Sequence, residues 1–150
     1  QGGLANTVNL SAGTGEVFQG GSVTNYNANG GNALIDSGGY VNTFTVGPAN
    51  NTFGTVQAGA NVNTLAATGY GTAFLNSGAS VASAVTPANG NGDGGILFLS
   101  GTAGTVSGTD NGIIETFSGA SFSNFSLNGA TAYLNGGSFA TPPTVTGNGG

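Results

Sequence analysis

The chain has no lysine, arginine or histidine, and no cysteine, methionine or tryptophan. Nucleic-acid binding draws its affinity from cations that neutralise phosphates, so a chain of net charge −5 without a single cation is not expected to bind nucleic acid. Attachment to anionic lipid headgroups fails for the same reason. Without cysteine there is neither a disulfide framework nor a thiolate metal site. Without histidine, the usual base that activates a serine or threonine nucleophile is missing. The longest strongly apolar run, Ile96-Leu97-Phe98-Leu99, is far too short to cross a bilayer, so no membrane insertion is expected. The opening Gln1-Gly2-Gly3 lacks the basic and apolar regions of a signal peptide, as a mature secreted chain or an excised segment would. The most oxidisable side chains are absent too, which suits a durable protein outside the cell. The expected location is therefore secreted and extracellular.

Charged residues make up 3% of the chain, against roughly 25% in an ordinary soluble domain. Hydrophobic residues still make up 37%, so the chain has the means to pack a core. Its 31 glycines punctuate a repeat. Seven segments of 18–22 residues run from Val8 to Pro142, and one glycine in each aligns them: Gly20, Gly38, Gly59, Gly78, Gly101, Gly119 and Gly136. Three residues before it stand Val17, Ile35, Val56, Leu75, Phe98, Thr116 and Tyr133. Three after it stand Val23, Val41, Val62, Val81, Gly104, Phe122 and Phe139. Five after it come Asn25, Thr43, Thr64, Ser83, Asn124 and Thr141, with Thr105 filling the gap from four after. Six after it come Tyr26, Phe44, Leu65, Ala84 and Phe125.

Columns of like residues arise when a coil stacks on copies of itself. Apolar columns then form a continuous core, and Asn, Ser and Thr columns form ladders. Glycine marks corners that need a positive φ. An antiparallel sandwich explains short strands but not same-residue columns at a period near 19. The expected fold is all-β: a right-handed parallel β-solenoid of about seven coils of 18–22 residues. It forms a single domain over residues 1–150, with a lead-in at 1–7, coils at 8–142 and a tail at 143–150. At ~4.8 Å per coil the rod is about 34 Å long. Insertions after Val46 and after Thr86 interrupt the period.

The runs Asp36-Ser37-Gly38-Gly39-Tyr40-Val41-Asn42-Thr43 and Asn76-Ser77-Gly78-Ala79-Ser80-Val81 resemble the stalk repeats of bacterial autotransporter-type adhesins and surface fibre proteins. The resemblance covers about residues 8–142 and implies a β-solenoid displayed on a bacterial surface. The insertions at Gly47–Asn51 and Asn89–Gly94 depart from that pattern.

Candidates for chemistry are few. The acids are Glu16, Asp36, Asp93, Asp110 and Glu115. Glu16 and Glu115 share a column five coils apart, about 24 Å at the coil spacing, whereas Glu16 and Asp36 are near enough in adjacent coils to approach. With no cation to position a substrate, no enzyme activity and no cofactor are expected. Calcium is the one metal for which oxygen ligands are arranged. Asn89, Asn91 and Asp93 alternate as in the first half of an EF-hand loop, and Asp110 falls in the next coil, but Ser100 stands where the closing glutamate belongs. The row of Asn25, Thr43, Thr64, Ser83 and Asn124 resembles the flat faces of ice-binding solenoids, although Thr43 and Thr45 give its single Thr-x-Thr.

A solenoid has two open ends, and natural proteins guard such edges with lysine, proline or a capping element. This chain has no lysine, and only Pro142-Pro143 stands near an end. The expected function is a structural subunit of an extracellular filament or surface matrix such as that of a biofilm, self-assembling head to tail with copies of itself. The alternatives are a stalk or passenger segment of a bacterial surface adhesin and, less favoured, an ice-binding solenoid.

Overall fold

The computed structural model describes residues 2–88, 92–140 and 144–145. Each coil contributes one long and one short strand. In chain order these are β1 (Leu4–Leu10) and β2 (Thr14–Val17), β3 (Ser22–Ala28) and β4 (Gly31–Ile35), β5 (Tyr40–Val46) and β6 (Thr52–Val56), and β7 (Asn61–Ala67) and β8 (Thr72–Leu75). Then follow β9 (Ser80–Thr86) and β10 (Ile96–Leu99), β11 (Thr102–Thr109) and β12 (Ile113–Thr116), and β13 (Ser121–Asn128) and β14 (Thr131–Leu134). Two short strands, β15 (Ser138–Phe139) and β16 (Thr144–Val145), both add to β13.

The long strands stack in sequence order into one parallel wall and the short strands into a second, which makes a parallel β-solenoid of about seven turns. The step between paired residues varies with the coil. It is 18 residues from Leu4 to Ser22, 21 from Tyr40 to Asn61, and 22 from Ser80 to Thr102. Ladder pairing begins at Leu4, so the first coil takes in most of the expected lead-in. The tail expected from 143 still pairs through β16.

The core lies between the walls, because alternate residues of every strand point inward. Val23, Val41, Val62 and Val81 form one buried column, and Tyr26, Phe44, Leu65, Ala84 and Val106 another. The short wall answers with Val17, Ile35, Val56, Leu75 and Leu99. Sizes are complementary across the gap. A Cβ at Gly54 would meet the Val46 side chain and come within 2.8 Å of Phe44 Cζ. In the coil where the second long-wall column narrows to Ala84, the short wall supplies Leu97 and Leu99. Full burial of a side chain such as Phe44 contributes about 1.5–3 kcal/mol.

The two corners of each coil differ. From the short wall back to the long one, the chain makes a four-residue turn, as in Asp36-Ser37-Gly38-Gly39. There the first carbonyl accepts from the fourth amide at 2.8 Å, and Gly38 holds φ 75°, the third-position requirement of a type II turn. These turns stack too: Gly38 N donates to Gly59 O at 3.0 Å, and Gly59 N to Gly78 O at 2.9 Å.

The fifth coil breaks that pattern and corrects the column assignment. Leu99 reaches Thr102 with only Ser100 and Gly101 between, whereas Leu75 reaches Ser80 through four residues. Gly101 cuts the corner closely: a Cβ there would stand 2.6 Å from Asn76 O and 2.7 Å from Ala79 O. The residue paired with Leu75 is therefore Leu99, not Phe98, and the one paired with Val81 is Ala103, not Gly104. In the seventh coil, likewise, Leu134 rather than Tyr133 pairs with Thr116. Phe98 and Tyr133 face outward.

Candidate functional site

The two ends of the rod are built differently. At the N-terminal end, β1 and β2 each have one neighbour, so one side of each backbone is unpaired. Between them the core opens into a cavity of about 480 Å³ lined by Ala5, Val8, Gly15, Val17, Val23 and Tyr26. The first coil has small side chains here, so the large Tyr26 ring of the second coil fills the space over Gly15, where any Cβ would strike the hydroxyl. Tyr26 Oη is buried without a hydrogen-bond partner among the described residues, and burial pushes its pKa up.

At the C-terminal end the long wall finishes in two strands of two residues each. Half-buried Phe139 closes the core there. Its ring centroid lies 5.5 Å from Phe122 and 6.0 Å from Phe125, the second contact edge-on. Short edge strands are one of the ways proteins blunt an edge. Pro142 and Pro143, the expected edge breakers, lie outside the described residues.

Of the four candidate calcium ligands, Asn89 and Asn91 lie outside the described residues. Asp93 and Asp110 do fall in adjacent coils: Gly94 N donates to Asp110 O at 2.8 Å and Gly69 N to Asp93 O at 3.2 Å. Asp110, at φ 41°, sets its carboxylate beside Gly129 of the following coil, while Asp93 stands in the preceding one. Calcium takes six to eight oxygen ligands, and no cluster of three or more acidic side chains occurs among the described residues.

Glu16 and Asp36 approach as expected. Their side chains hydrogen-bond, and that contact, followed by partial desolvation and like-charge repulsion, raises the Glu16 carboxyl above its ordinary value. A directly bonded pair is closer than the roughly 5–9.5 Å that glycoside hydrolysis places between its two carboxyl groups. Glu16 and Glu115 do share one outward column of the short wall, on its first and sixth strands. Glu115 there accepts from Asn135 Nδ2 at 2.7 Å.

The outer face of the long wall carries two parallel rows. One is Asn25, Thr43, Thr64, Ser83, Thr105 and Asn124; the other is Asn27, Thr45, Ala66, Val85, Ser107 and Ser126. Ala66 and Val85 interrupt the second row, so the paired hydroxyls of Thr43 and Thr45 do not continue along the rod. Amide bonds link coils at the head of the second row, where Asn27 Nδ2 donates to Asn9 Oδ1 at 2.9 Å, and outside both rows, where Asn63 Nδ2 donates to Asn42 Oδ1 at 3.2 Å.

Sequence reasoning missed a groove on the opposite wall, where Phe53 is 39% and Tyr70 61% exposed beside the corners that carry the insertions. Its floor is one column through four coils, Phe53, Thr72, Ile96 and Ile113, and its rim comes from the corners beside them. The irregular length of those corners was the available signal. No protein-family model matches the chain, and no curated protein or solved structure does either.

Proposed function

We propose that the chain is a subunit of an extracellular filament, joined head to tail by stacking the last coil of one copy on the first coil of the next. The observation that supports this is the N-terminal end, where an apolar opening of about 480 Å³ lies between two regular strands with unpaired edges. Unpaired strand edges over an uncovered core are templates for further pairing. The two ends differ in shape, so their contact is heterologous and extends without closing. With five acids and no cation in the chain, few charges oppose the contact.

Electron microscopy of the purified protein tests the reading. Wild type should form long fibres of uniform width. Val8→Lys places a charge inside the opening at the half-buried Val8, and it should leave short rods with an unchanged circular-dichroism spectrum. Dispersed rods from wild type at high concentration would sink the filament. They would favour a segment of an adhesin stalk, in which coils of the same longer chain cover this end.

A further inference from the structure

The groove beside Phe53 and Tyr70 lies on the side of the rod, away from both ends. It spans the coils of β6, β8, β10 and β12 and encloses about 540 Å³. Three coil steps of ~4.8 Å give it a length of about 14 Å, room for a short oligomer rather than a single small ring.

Its chemistry is specific. The floor is apolar, from Phe53, Ile96 and Ile113. Phe74 and Phe98 stack on each other at 5.1 Å, and Phe98 also meets Phe117 at 6.1 Å, so those ring faces are engaged. Phe53 and Tyr70 belong to no ring pair among the described residues, and both are exposed. The rim carries Asn50, Asn51, Asp93 and Asn111, whose amides and carboxylate offer both donors and acceptors. Asn51 and Asn111 hold φ 58° and 60°, and a bond from Asn111 Nδ2 to Gly92 O at 3.3 Å helps fix the second. Backbone held in that region at a rim is a conformational cost that points to a use.

The same groove excludes other ligands. A peptide strand needs a free sheet edge, but the backbone here is paired coil to coil: Ile96 N donates to Gly71 O at 2.9 Å and Ile113 N to Gly95 O at 3.0 Å. A phosphate or uronate needs a cation, and the chain has none. What fits is a neutral molecule with an apolar C–H face and a periphery of hydroxyl groups.

We propose that this groove binds a neutral oligosaccharide, with Tyr70 as the stacking platform and Asn50, Asn51, Asp93 and Asn111 bonding its hydroxyls. Because the site is on the side wall, end-to-end assembly leaves it open. A filament would then repeat it along its length and hold a polysaccharide with gains from multivalency. Single-site binding does not depend on the filament and is tested on dispersed protein.

The experiment is calorimetric titration with the neutral hexasaccharides of cellulose, xylan, mannan and β-1,3-glucan, and with hexagalacturonate as the acidic probe. At least one neutral probe should bind. Tyr70→Ala should weaken it about tenfold, the scale of a lost aromatic contact, while Tyr70→Phe stays near wild type. Asn50→Ala, at an exposed rim position, should weaken binding by a smaller factor with an unchanged circular-dichroism spectrum. Tyr133→Ala, exposed on the same wall but outside the groove, should bind as wild type does. No neutral binding at millimolar concentration would overturn the proposal. So would equal affinity for hexagalacturonate, or full affinity in Tyr70→Ala.

Discussion

The long-strand wall and the short-strand wall stack to the same pitch, yet their outer faces are opposites. The long wall shows water rows of Asn, Thr and Ser. The short wall shows Leu34, Phe53, Phe74, Ile96, Phe98 and Ile113, with Glu16 and Glu115 near its two ends. The long wall therefore alternates polar and apolar, and a one-residue slip would bury amides and hydroxyls. The short wall is apolar on both faces over its middle coils, so burial alone protects its register weakly. Its register is held by interlocking with the long wall and by the corners. A wall that need not hide its apolar residues is also the wall free to carry an aromatic groove.

The interlock predicts the largest effects. Phe44→Ala should lower unfolding free energy by about 3–5 kcal/mol in a denaturant titration. Gly54→Ala, which pushes a methyl group against Phe44 and Val46, should cost about 1–3 kcal/mol. Combining Phe44→Leu with Gly54→Ala should cost less than the sum of the two single changes, because each relieves the other. Strict additivity would show that the walls do not interlock there. On the outer faces the difference is smaller. Phe98→Ser removes the stack on Phe74 and should cost about 0.5–1.5 kcal/mol. Thr64→Ala on the opposite wall should stay within about 0.5 kcal/mol. Equal losses would erase the distinction between the faces.

The smallest effect belongs to Glu16. Its carboxyl is raised in the folded chain, so the stability it contributes is full below the unfolded value of 4.5 and is lost as pH rises through the folded value. Glu16→Gln keeps a donor for Asp36 without needing the proton. The variant should melt higher than wild type at pH 7, with the gap closing toward pH 4. A gap of constant size would mean that no proton is shared.

The fold was legible because two signals agreed. Glycines at positive φ, such as Gly38 and Gly59, mark one corner, and the column of Val23, Val41, Val62 and Val81 lies at a constant distance from them. Legibility failed where that corner shortened. Counting back from Gly101 put Phe98 in the core, and the neighbour that belongs there, Leu99, is equally apolar. On a wall with two apolar faces, hydrophobicity cannot expose a slip of one residue. Tyr133 and Leu134 repeat the case. The close approach of Glu16 and Asp36 was readable from coil spacing. The groove was not, because Asn50, Tyr70, Asp93 and Asn111 meet only after corners of different lengths are stacked.

The coil-to-coil bonds, from Ser22 N to Gly3 O at one end to Ala140 N to Phe122 O at the other, link neighbouring coils along the rod. A pull between the two ends loads them in series rather than in shear. Resistance is then set by the weakest junction, whatever the number of coils. Each coil that peels away releases ~19 residues, or about 65 Å of extended chain. A tether built this way would lengthen in discrete steps under load, shedding force coil by coil before the whole rod gives way.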